Sequence, residues 1–107
     1  MATELQWIFI TEKYSLVEFL DNAIVVARFN QNELMRELIT IRGKLLESKN
    51  YESIIKILNL LTKLNEKIID KKLEEVITKL IEQIYFLKNN RLEFNEKIEK
   101  LESKIEE

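Results

Sequence analysis

The sequence contains no cysteine, no histidine and no proline, and it has a single glycine, Gly43. Without cysteine there are no disulfides, thiol nucleophiles or iron–sulfur ligands. Without histidine, imidazole bases and the commonest metal ligand are excluded as well. A β-rich domain needs turn residues between its strands, and those residues are scarce here. Long apolar runs are also missing. The longest are 7–10 and 23–27, whereas a membrane-spanning helix needs ~20 apolar residues. Glu4 precedes the first of these runs and Glu12-Lys13 follow it, which is not the pattern of a secretory signal. A cytoplasmic protein with no membrane segment is expected.

What is present is the material of one helical domain. The chain has 107 residues, 17 Lys+Arg against 19 Asp+Glu, and a net charge of −2. Apolar residues make up 46% and charged residues 34%, too apolar for disorder and too charged for a membrane protein. Abundant Leu, Ile, Lys, Glu and Asn match an AT-rich coding sequence, microbial or viral.

Local cues place the helices. Ser15 with Glu18 forms a capping box, and Tyr14 with Phe19 a hydrophobic staple, so a first helix is predicted over 16–29. Asn30 with Glu33, and Phe29 with Leu34, repeat this grammar ahead of a second helix reaching Glu47. Gly43 lies inside that helix, where it marks close backbone approach to a ligand, close helix packing or a frayed end. Ser48 or Asn50 caps a third helix starting near Tyr51, whose Ile54, Ile57, Leu61, Leu64 and Ile68 form a seam. The phrase from Asn50 to Ile55 resembles the start of the second helix of a tetratricopeptide-type hairpin. No second copy follows about 34 residues later, so no repeat array is expected. A break over 65–70 precedes a last helix capped by Asp70. The expected fold is all-α, a small antiparallel bundle of about four helices whose last helix ends in a coiled-coil-like arm. Residues 1–92 would form the bundle and 93–107 the extension, within a single domain.

One pattern is sharper than the rest. Leu73, Ile77, Leu80, Ile84, Leu87, Arg91, Phe94, Ile98, Leu101 and Ile105 alternate at spacings of four and three. With Ile77 at a, the a positions are Ile77, Ile84, Arg91, Ile98 and Ile105, and Leu or Phe fills d. Ile at a with Leu at d favours two parallel strands. Lys97 at g and Glu102 at the following e would then attract across the pair. Val76, Ile81, Tyr85, Phe86 and Leu92 give the first part of this helix a second apolar face, whereas from Phe94 onward only the seam is apolar. Asn89-Asn90 competes with continuity, because either residue could end the helix and let 91–107 fold back.

Catalysis is not expected. Glu74-Glu75 is the only adjacent acidic pair before the tail, and position 78 is Thr rather than a further acid. The carboxylates alternate with lysines at helical spacing, as on a solvated face. No cofactor or metal is expected. Lys63, Lys67, Lys71, Lys72 and Lys79 crowd the connection before the last helix and define the alternative function, a nucleic-acid-binding regulator. Glu66, Asp70, Glu74 and Glu75 are interleaved with them, so no binding tighter than non-specific is expected at physiological salt. The leading expectation is an interaction or oligomerisation protein: an adaptor, assembly subunit or inhibitor. Its first partner would be a second copy of itself, joined through 73–105, and another protein could be a further partner.

Overall fold

Phe9, Lys13, Leu16, Leu20, Ala23 and Ala27 recur at spacings of four and three, and together they line the inner side of one long helix. The computed structural model describes the backbone of residues 4–106 and the side chains of residues 6–90. In it α1 spans Glu4–Asn30. The helix start expected at Ser15 is absent: Tyr14 and Ser15 are exposed in mid-helix. Packing upstream of the cue decides the matter. The Phe9 ring meets Tyr51 edge-on at 5.1 Å and 78°, and Lys13 is anchored to the chain 33 and 35 residues later. These tertiary contacts carry the helix through a capping phrase that would operate only at a real terminus.

The second expected start is shifted for a related reason. Asn30 closes α1 instead of capping the next helix, and Phe29 stays 78% exposed, so it does not staple to Leu34. Gln31 (φ −152°, ψ 71°) turns the chain into a short 3-10 segment, Asn32–Leu34, which leads into α2 (Met35–Glu47) without a side-chain cap. A Cβ built on Gly43 would meet nothing within 4 Å. This removes the close helix-packing explanation of that glycine.

The remaining signals operate where they were expected. Asn50 caps α3 (Tyr51–Asn65), accepting from the Ser53 N–H at 2.9 Å. Asp70 caps the last helix, accepting from the Leu73 N–H at 2.9 Å. That helix, α4, spans Lys71–Glu106 and passes through Asn89 and Asn90 without interruption. The chain does not fold back there.

The four helices form an up-and-down bundle. α1 packs on α2 and α4, and α3 packs on the same two neighbours, with no strand among the described residues. Each helix contributes one stripe to the core: Leu16, Leu20, Ala23 and Ala27; Leu38, Ile41 and Leu45; Ile54, Ile57, Leu61 and Leu64; Leu73, Ile77, Leu80 and Ile84. Alanines at 23 and 27 let α1 approach its neighbours closely. α4 is the odd member. Its 36 residues amount to about 54 Å at 1.5 Å per residue, more than twice the length of α2 or α3. The long dimension of the molecule, 58 Å, is essentially that of this helix.

Candidate functional site

Each end of the bundle is tied by a polar cluster built on a residue from α1 or the turn after it. At one end the buried Gln31 side chain serves the α3–α4 connection. Its Nε2 donates to the Lys67 carbonyl at 2.9 Å, and its Oε1 accepts the N–H groups of Ile69 and Asp70 at 2.9 and 3.1 Å. A connection crossing the core end leaves backbone groups that nothing helical can satisfy, and one amide satisfies three of them. Asn30 Nδ2 adds a contact to Asp70 Oδ2 at 3.2 Å. The Leu73 N–H, with the Asn30 amide, holds the Asp70 carboxyl below its ordinary value of 3.8. Asp70 therefore caps α4 as a carboxylate at neutral pH.

At the other end Lys13 Nζ donates to the carbonyls of Leu46 and Ser48 at 2.9 and 3.1 Å, capping the C-terminus of α2. The same ammonium lies 5.7 Å from the centre of the Phe9 ring. The Tyr51 hydroxyl donates to Glu12 Oε2 at 2.5 Å. Sequence reasoning missed both anchors. Lys13 had a readable signal, because it interrupts an apolar seam between Phe9 and Leu16. Gln31 had none.

These two ends fix how far the bundle covers α4. Asn30 and Asp70 are in contact where α1 and α4 run antiparallel. Lys13 lies 17 residues back from Asn30, so it stands level with about residue 87 of α4 at equal helical rise. Lys13 is also where α2 ends and where the turn into α3 passes. α1 runs on to Glu4, level with about residue 96, but α3 covers α4 only as far as about Leu87.

The expected self-association seam divides at that level. Leu73, Ile77, Leu80 and Ile84 are 0–1% exposed, enclosed by the chain's own α1 and α3. That half of the seam is packed within one molecule. Leu87 is half-buried at the boundary. Arg91, Phe94, Ile98, Leu101 and Ile105 lie outside the residues whose side chains are described. Off the seam, Val76 and Ile81 are half-buried, whereas Tyr85 and Phe86 are exposed. On α1, Trp7, Tyr14, Val25 and Phe29 are exposed on the side away from the core.

The lysine cluster does not converge on a cleft. Lys63, Lys67, Lys71, Lys72 and Lys79 are all exposed. Lys67 pairs with Glu37 of α2 at 3.0 Å, with both side chains about half exposed. Lys71 and Lys79 share an open depression on α4 with Glu74, Glu75, Thr78 and Glu82. Glu74 and Glu75 are thus part of a mixed-charge helix face. No group of three potential ligands could hold a metal ion among the described residues. No helix among them is long and apolar enough to cross a membrane. No protein-family model matches the chain, and no match was found among curated proteins or solved structures.

Proposed function

We propose that the protein is a small helical association module. Its body is a self-contained bundle, and the part of α4 beyond Leu87 is a coiled-coil arm that joins it to a second copy. One observation carries the reading. α4 continues unbroken to Glu106, while α3, one of the two helices packed on it, begins at Tyr51, about level with residue 87. Beyond that level the a and d positions of the seam other than Arg91 are apolar, and of the chain's other helices only α1 runs on, to Glu4, level with about residue 96. A second such seam is the natural complement. The homodimer then serves as an adaptor or assembly subunit, with the exposed apolar residues of α1 available to another protein.

The lysine cluster favours no second reading, because acids stand beside these lysines on the helix face and across the α2–α3 groove. Truncation after Asn89 tests the proposal. Light scattering at micromolar concentration gives a dimer mass for the full chain and a monomer mass for the truncated one, both helical by circular dichroism. Mixed DNA or RNA at physiological salt leaves the full-chain mass unchanged. A truncated chain that keeps the dimer mass, or a full chain that is monomeric, overturns the reading.

A further inference from the structure

We infer that Trp7 is covered by the second copy in the dimer proposed above, so that the first turns of α1 join α4 in forming that contact. This rests on self-association through the arm and extends the contact to a second helix. Trp7 and its neighbour Ile8 are 61% and 49% exposed. Tryptophan is on average a well-buried residue, and this is the only one in the chain.

Its place in the fold accounts for the exposure. α1 and α4 run antiparallel from the Asn30–Asp70 contact, so Trp7 stands level with about residue 93 of α4. Trp7, Tyr14 and Asp21 follow one another at intervals of seven, which keeps them on one side of the helix to within about 40°. Asp21 shows which side that is, because its carboxylate meets Arg42 of α2 at 2.6 Å. In the body, α2 covers this side of α1. But α2 ends at Glu47, and Lys13 holds that end through the carbonyls of Leu46 and Ser48. Trp7 lies about 9 Å further along α1. No helix among the described residues takes over from α2 at that level. α3 starts at Tyr51, and its ring meets Phe9 on the inner side of α1.

A second copy is the occupant that the proposed dimer supplies. Trp7 stands at the level of the arm, so a copy joined through the arm brings its own helices to the first turns of α1. A large aromatic side chain on a helix side that has lost its cover is the kind of residue that dominates association energy. The first charged side chains downstream of it are already engaged, Lys13 with two carbonyls and Glu12 with the Tyr51 hydroxyl. An apolar contact there leaves neither of them stranded. Val25 and Phe29, toward the opposite end of α1, remain open to another protein.

The sole tryptophan reports its own burial in the full-length protein. Emission and iodide quenching are read on the unmodified chain and on the Ile98→Asp chain, with the mass of each from sedimentation. The expected result is a dimer whose tryptophan emits at shorter wavelength and is quenched less than that of the Ile98→Asp monomer. Trp7→Ala should raise the dimer dissociation constant by about tenfold or more, with the helical signal unchanged. A dimer whose tryptophan emits and quenches as in the monomer overturns the inference, as does a Trp7→Ala chain that dimerises as tightly as the unmodified one. Either result leaves self-association standing and Trp7 open to a different protein. An unmodified chain of monomer mass, or an Ile98→Asp chain that stays dimeric, overturns both.

Discussion

Ile84 and Ile98 occupy the same heptad position, two repeats apart, on one unbroken helix. Ile84 is 1% exposed inside the bundle, where α1 and α3 flank α4. Ile98 lies on the stretch beyond the level at which α2 and α3 stop. One periodic signal therefore has two destinations. In the body it specifies which side of α4 joins the core, and in the arm, on the account proposed here, it specifies a contact with a second molecule. What separates the two is where α3 begins, at the turn through Ser48 that the Lys13 anchor holds. A seam by itself does not say whether its complement is intramolecular.

The largest effect should come from breaking the body half. Ile84→Asp places a carboxylate in the apolar core, where Ile84 is 1% exposed, at a cost of at least ~4 kcal/mol. That approaches the whole stability of a small domain, so circular dichroism should show loss of most helix at 25 °C. Next is the latch at the end remote from the arm. Gln31→Ala strands the Ile69 and Asp70 N–H groups and the Lys67 carbonyl, and should lower the unfolding free energy by about 1–3 kcal/mol in urea titrations. It should leave the particle mass unchanged, which sharpens the separation between body stability and association. The smallest effect belongs to Gly43→Ala. The added methyl enters open space on a helix, so thermal melts should show a gain of about 1 kcal/mol.

The bundle was legible because its seams are long. Ile54, Ile57, Leu61 and Leu64, then Leu73, Ile77, Leu80 and Ile84, repeat often enough for helical period and inner face to be unambiguous. Asn50 and Asp70 were legible as caps because the chain on their N-terminal side is short and polar or turns sharply. Ser15 and Asn30 carry equally good capping chemistry and do not cap. Capping is a local preference of about 1 kcal/mol, and the burial of Phe9 with Lys13 on the neighbouring turn outweighs it. Gln31 was illegible in principle. Its role depends on the backbone of residues 67–70, distant in sequence, and no local pattern encodes that meeting. The candidate site was legible as a heptad and as a divided one, because the apolar residues off the seam stop at Leu92; what the sequence did not show is that Leu73, Ile77, Leu80 and Ile84 are enclosed by the chain's own α1 and α3.

The most direct test of that division is the sedimentation of the full chain carrying Ile98→Asp, read beside its circular dichroism. The substitution repeats the chemistry of Ile84→Asp at the same heptad position in the other half of α4. The account predicts a monomer that keeps the helical signal and cooperative melting of the body. A dimer of undiminished affinity, or a chain that unfolds as Ile84→Asp does, would contradict it.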